Sequence, residues 1–137
     1  MPANFQVIKL HHVGIAVDNI EKWSEVHRRI LGLRLTTEII VDEVHKVKVA
    51  FAELENGVSV EFVEPFGPDS PVTRVVERRG GVYHVCYVVS DIDQAVQHAR
   101  DEGALVISLP QPSKAFAGKR VAFIYMPDKS VVEFLEQ

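Results

Sequence analysis

Lys9-Leu10-His11-His12-Val13-Gly14-Ile15-Ala16-Val17 alternates as an extended strand, with Val13, Ile15 and Val17 on one face and Leu10, His12, Gly14 and Ala16 on the other. Its decisive property is that it is written twice. His12-Val13 and Val17 return 72 positions later as His84-Val85 and Val89. Two further blocks keep that offset: Val49-Ala50-Phe51 returns as Val121-Ala122-Phe123, and Val60-Glu61-Phe62 as Val132-Glu133-Phe134. One repeated Val or Phe carries little weight in an apolar chain, but three blocks in register point to an internal duplication. Glu61 follows His12 at the separation that also divides Glu133 from His84, so the duplicated unit carries a duplicated pair of metal-type ligands.

Working outward, Asp18 and Glu21 have the pattern of a helix N-terminus, and Ile20, Trp23, His27, Ile30 and Leu31 recur at helical spacing until Gly32 stops the helix. Extended stretches follow at 33–41, 44–53 and 58–63, with Asn56-Gly57 a hairpin turn between the last two. In the connector Ser70 reads as a cap and Pro71 as a first helical residue, with Val72, Val75 and Val76 forming a short apolar stripe. The second unit repeats the order. A strand at 82–89 leads to Ser90 as cap, a helix at 92–100 with Ile92, Ala95, Val96 and Ala99 inward, Gly103 as stop, and strands near Leu105, Val121 and Val131. Pro110 to Gly118 reads as a long loop able to cover a ligand. The sum is one α+β domain over 1–137, with a βαβββ module at about 7–64, a connector at about 65–81 and a second module at about 82–137.

A chain of 137 residues holds one ordinary core, so the two modules share a fold. Hydrophobic residues at 47% and charged ones at 25% describe a soluble globular protein. A formal charge of -4 offers no general attraction to nucleic acid, despite local basic pairs at Arg78-Arg79 and Lys119-Arg120. The segment Met1-Pro2-Ala3-Asn4-Phe5-Gln6 lacks a basic start and an apolar run, and no stretch is long enough to span a bilayer. Cys86 is the single cysteine, so no intrachain disulfide is available, and a cytoplasmic address is expected.

Strand parity places His12 with Gly14, Glu61 with Ser59, His84 with Cys86 and Glu133 with Val131, so all four can face away from the helix-packed side. Two neutral imidazoles and two carboxylates suit a borderline divalent cation such as zinc, nickel, cobalt, iron or manganese, with positions open for substrate. Isolated histidines such as His11, His27, His45 and His98 read instead as structural. Mid-strand glutamates in apolar surroundings need a positive partner, which a metal supplies.

These four residues resemble the metal-binding positions of the vicinal oxygen chelate superfamily, which spans glyoxalases, bleomycin resistance proteins and dioxygenases. Within it, Glu64-Pro65-Phe66-Gly67-Pro68-Asp69-Ser70-Pro71-Val72 and Gly118-Lys119-Arg120-Val121-Ala122-Phe123 resemble methylmalonyl-CoA epimerases, and the similarity runs over nearly the whole chain. The resemblance implies a cupped eight-stranded mixed sheet with helices outside, one divalent ion (Co, Zn, Ni or Mn) per chain, and a homodimer with each site inside one chain. It implies α-proton abstraction from an acyl-CoA such as methylmalonyl-CoA through a metal-stabilised enolate. Glu133 would then be both ligand and base on one face of the substrate.

Where several bacterial epimerases carry a glutamate in the second long strand of the first module, this chain has Val49. The candidates for the second base are His45 and Glu43, with His45 ahead because an unperturbed imidazole titrates near neutral pH. Lys114, Lys119 and Arg120 are candidates for holding a carboxylate or the phosphates of coenzyme A. Glyoxalase I (lactoylglutathione lyase) shares the His/Glu/His/Glu set, whereas many epimerases have Gln in place of Glu61, so it is the alternative enzyme. Metal-free small-molecule-binding resistance proteins of the same fold have no need of four ligands. Extradiol dioxygenases use two His and one Glu, so a fourth ligand argues against them.

Overall fold

The structure, a computed structural model, describes residues 3–137, and Met1 and Pro2 lie outside the described residues. The strands are β1 (Val7–Ala16), β2 (Ile40–Asp42), β3 (Val47–Glu53), β4 (Ser59–Pro65), β5 (Gly81–Val89), β6 (Leu105–Pro112), β7 (Arg120–Tyr125) and β8 (Val131–Glu136). The helices are α1 (Ile20–Leu31), α2 (Thr73–Glu77) and α3 (Ile92–Asp101), with a 3-10 turn at Lys114–Phe116. Hydrogen bonds order the strands β2-β3-β4-β1-β5-β8-β7-β6 in one mixed sheet, which is the expected α+β class. β1 with β4, and β5 with β8, are parallel pairs, each made possible by a helix and an antiparallel meander that bring the chain back. The chain divides into two compact units, His12–Tyr83 and His84–Gln137 with the residues up to His11.

In the unit His12–Tyr83, Val17, Ile20, Ala50 and Phe62 form the core, with Ile15, Trp23, Leu35 and Val60 packed against it. The cap of α1 is Asn19, whose side chain accepts the Lys22 N–H at 2.8 Å. Asp18, the expected cap, instead accepts from the Trp23 indole at 2.7 Å. Gly32, at φ 71, stops the helix as expected. The inward stripe ends at His27, which stands edge-on to Phe62; Ile30 and Leu31 are exposed.

The stretch 33–41 enters the sheet only from Ile40. Before that, the Thr36 N–H still donates to the Phe51 carbonyl, but the Thr36 and Thr37 hydroxyls, not backbone carbonyls, accept the Glu53 and Phe51 N–H groups. β3 begins at Val47 rather than at 44, because Asp42 takes the His45 N–H and Lys46 adopts φ 58, which closes a tight turn. The hairpin at Asn56-Gly57 forms as expected, with Gly57 at φ 87. α2 starts later than Pro71, since Ser70 uses its hydroxyl on the Val72 N–H and its carbonyl on Thr73, closing a turn ahead of the helix.

In the other unit, Val89, Ile92, Ala95, Val96, Ala122, Ile124, Val132 and Phe134 form the core. Phe5 joins it, edge-on to His98 and Phe134, so the first residues of the chain pack with the later half of the sequence. Ser90, the expected cap of α3, is occupied by this arm: its hydroxyl accepts the Gln6 N–H at 2.8 Å and its N–H donates to the Gln6 carbonyl. The cap is Asp91, which accepts from the Gln94 N–H at 3.0 Å.

Pro110 to Gly118 is not a long loop. β6 continues to Pro112, with register shifts between Val106 and Ser108 and between Ser108 and Gln111. The prolines are tolerated because β6 is an edge strand, where a missing N–H breaks no ladder on its open side. Ser113 then closes the connection, its carbonyl accepting from Phe116 and Gly118 while its N–H donates to Lys119.

Candidate metal centre

On β1 and β4, Ile15, Val60 and Phe62 turn toward α1, so the alternate residues His12 and Glu61 occupy the opposite face. Parallel register sets Gly14 beside Glu61 and His12 beside Ser59. His12 Nε2 lies 3.2 Å from Glu61 Oε1, and the two residues are 0% and 5% exposed. Phe51 of β3 is in register with Glu61 and stands edge-on to the His12 ring at 5.7 Å.

The later unit repeats this, position for position. Cys86 is beside Glu133 and His84 beside Val131, with Phe123 of β7 in register with Glu133. His84 Nε2 lies 3.1 Å from Glu133 Oε1, both residues are buried, and the Phe123 ring stands edge-on to His84 at 5.6 Å. Cys86 packs with Val88, Val121 and Leu135 as a core residue.

The donor set fits a cation. A buried carboxylate is costly unless positive charge stands beside it, and here each is met by an imidazole nitrogen that can be a metal ligand. Two such carboxylates neutralise a divalent ion, and imidazole with carboxylate suits Zn, Co, Ni or Mn.

The remaining candidates are placed differently. Glu43 is exposed in the β2–β3 turn. His45 is in the same turn, its Nδ1 2.9 Å from the Asp42 carboxylate. Val49 is buried, in register with Ile40 and Val63. Lys114, in the 3-10 turn, and Lys119, just after it, are exposed. Arg120 shares the parity of Ala122 and Ile124, the α3 side of β7, where its guanidinium meets Asp93 at 2.9 and 3.1 Å and Glu136 at 3.2 Å. Hydrogen bonding from Arg120 holds the Asp93 carboxyl below the usual carboxylate range, and the same bond raises the guanidinium. Sequence reasoning assigned no role to Phe51, Phe123 and Asp42. The first two lie in the repeated blocks, and Asp42 stands three residues before His45, the separation at which a cap side chain accepts a backbone N–H.

A duplicated strand pair that sets a buried histidine beside a buried glutamate in each half defines a class: the chain belongs to the Glyoxalase/Bleomycin resistance protein/Dioxygenase superfamily, whose family model matches residues 11–123. Within that superfamily it groups with the methylmalonyl-CoA epimerases, which are isomerases. It is 35% identical over 123 residues to the mitochondrial methylmalonyl-CoA epimerase of Mus musculus, covering 88% of this chain and 67% of that one. To the ethylmalonyl-CoA/methylmalonyl-CoA epimerase of Cereibacter sphaeroides it is 34% identical over 122 residues, covering 88% and 90%. The crystal structure of methylmalonyl-CoA epimerase from Mycobacterium tuberculosis has the same fold, with a TM-score of 0.82 at 22% identity over 99% of this chain and 92% of that one.

Proposed function

We propose that the chain epimerises methylmalonyl-CoA or a closely related acyl-CoA, with His12, Glu61, His84 and Glu133 holding one divalent ion. The supporting observation is the repetition: in each unit a buried histidine Nε2 stands 3.2 or 3.1 Å from a buried glutamate oxygen, and these four residues are of the types that hold a metal ion. A bound divalent cation would supply Lewis-acid stabilisation of the enolate that develops when the proton between thioester and carboxylate leaves. His12 and His84 present Nε2, Glu61 and Glu133 present a carboxylate oxygen, and Phe51 and Phe123 wall the imidazoles from water. Glu133 takes the α-proton on one face. The exposed ammonium groups of Lys114 and Lys119 are suited to the phosphates of a coenzyme A tail.

Val7, Ile8 and Leu10 of β1 and Val82 of β5 are exposed apolar side chains, which supports a second copy of the chain as partner. Sedimentation of a dimer, lost on introducing charge at Ile8, is the corresponding measurement. The glyoxalase I alternative is not favoured, since the relatives over most of the chain are epimerases.

The test is the metal-loaded protein in deuterium oxide. Incorporation of deuterium at the α-carbon of methylmalonyl-CoA is expected, with little turnover of a hemithioacetal in parallel. Protein carrying one ion per chain that exchanges no α-proton would sink the reading.

A further inference from the structure

We propose that a groove between α1 and the connector binds a free α-amino acid with an apolar side chain. The groove has a volume of about 380 Å³ and is lined by Ile15, Val17, Trp23, His27 and Val76, with Asp18 and Arg79 as its charged members. That volume is within the roughly 300–1,000 Å³ of small-molecule sites, whose usual make-up is apolar walls with a few charged groups. Ile15 and Val17 turn to α1, the face opposite His12, so the bound molecule is not a substrate of the metal centre.

The duplication indicates what kind of body the groove takes. By the 72-residue offset Ile15, Val17, Trp23, His27 and Phe62 correspond to Tyr87, Val89, Ala95, Ala99 and Phe134. In the later unit these residues belong to or flank the core on which Phe5 packs, edge-on to Phe134 at 6.2 Å. The earlier unit has Glu77 at the position of Phe5, and Glu77 is exposed and does not line the groove. A place that one half fills with its own phenylalanine is therefore open in the other. The charged groups indicate what that body carries. Asp18 keeps one oxygen on the Trp23 indole, and neither Asp18 nor Arg79 has an ion pair among the described residues. His27 gives its Nδ1 hydrogen to the Trp23 carbonyl at 2.8 Å, so the neutral ring is wall and has no second hydrogen to offer. One carboxylate and one guanidinium beside an apolar wall match a molecule that bears an ammonium and a carboxylate on the same carbon. A plain acid would set its charge against Asp18, and a plain amine against Arg79. The connector fixes Arg79: its φ is 139, which a non-glycine residue keeps only where its surroundings over-determine it. Its neighbour Gly80 is so close to β1 that a Cβ would lie 2.6 Å from the Ala16 carbonyl oxygen.

Trp23 is the only tryptophan of the chain, so its fluorescence reports the groove directly. Metal-loaded protein without acyl-CoA is titrated with phenylalanine, hydrocinnamate and phenethylamine, with calorimetry beside the fluorescence. Phenylalanine is expected to saturate the groove at millimolar concentration or below. Each analogue, lacking one of the two charges, should bind about tenfold or more weakly, the worth of one charged hydrogen bond. Arg79→Gln should remove the advantage of phenylalanine over phenethylamine. Asp18→Asn, which keeps an oxygen for the indole, should remove its advantage over hydrocinnamate. Val76→Phe fills the groove from within and should abolish binding of all three. No saturable change with phenylalanine, equal affinity for phenylalanine and either analogue, or undiminished binding by folded Val76→Phe overturns the assignment. The three ligands on wild type decide it if no variant folds.

Discussion

The ring of Phe51 stands edge-on to the imidazole of His12, centroids 5.7 Å apart and planes at 72°, and Phe123 repeats this against His84 at 5.6 Å and 81°. Each phenylalanine is also in register with the glutamate of its pair, so one aromatic side chain orients both members. Phe51→Leu is therefore expected to weaken metal binding about tenfold or more, the usual cost of losing support behind a ligand. Phe51→Ala should add about 3–5 kcal/mol of lost stability from the cavity. Chelator competition and denaturant titration measure the two effects; unchanged affinity in Phe51→Leu would show that the ring only fills space.

Glu61 and Glu133 occupy equivalent positions, yet only Glu133 is assigned a proton. Glu133→Gln is expected to keep most of the metal, because an oxygen donor remains, while kcat falls about 100-fold or more. Glu61→Gln should stay within about tenfold of wild type, since it changes ligand charge without removing a base. His12→Ala and His84→Ala should each reduce metal content well below one ion per chain. Elemental analysis beside the exchange assay separates ligand from base.

The caps of the two long helices, Asn19 and Asp91, are themselves related by the 72-residue offset. Asn19→Ala and Asp91→Ala are each expected to cost about 1 kcal/mol, since each side chain satisfies an otherwise orphaned N–H. Ser90→Ala should leave α3 capped and loosen the N-terminal arm instead, because Ser90 bonds Gln6. Hydrogen exchange at residues 5–7 against the first turn of α3 distinguishes the two.

The duplication, the element order and the two His/Glu pairs were legible because they rest on periodicity and burial, which the residues themselves carry. Boundaries were less so. Asp18 and Ser90 are good caps by residue type, but the choice between neighbours was made by partners distant in sequence or on the next turn, the Trp23 indole and Gln6. The segment around Thr36 and Thr37 has strand composition, yet its hydroxyls take the Phe51 and Glu53 N–H groups that a ladder would give to carbonyls. Pro110 and Pro112 read as loop because proline interrupts sheets; only the edge position of β6 makes them admissible, and edge position is a property of topology. Asp42 has no sequence signal of its own, because its contact with His45 needs the turn that brings the two side chains together.

Gly80 has φ 70, and a Cβ there would lie 2.6 Å from the Ala16 carbonyl oxygen. Gly57 has φ 87 but nothing within 4 Å of an added Cβ. Gly57→Ala therefore meets only the left-handed penalty, about 1 kcal/mol. Gly80→Ala meets that and a backbone clash, and is expected to cost more than about 2 kcal/mol. Equal denaturation midpoints for the two variants would mean that the connector yields freely at Gly80.

Arg120 ties β7 to α3 through Asp93, and the sign of its pH dependence follows from the carboxyl. Its hydrogen bond holds Asp93 below the usual carboxylate range in the folded chain, so the fold binds this proton less readily than the unfolded chain does. The contribution is present above the unfolded value, about 4, and is lost as pH falls through the lower folded one. The difference in Tm between wild type and Asp93→Asn should accordingly be constant above about pH 5 and shrink toward zero in stronger acid. Asp93 is largely exposed, so added salt should also reduce the difference at neutral pH. Thermal melts across pH and ionic strength decide it: a gap that persists unchanged in strong acid assigns the contact to packing, because a protonated Asp93 no longer offers Arg120 a charge.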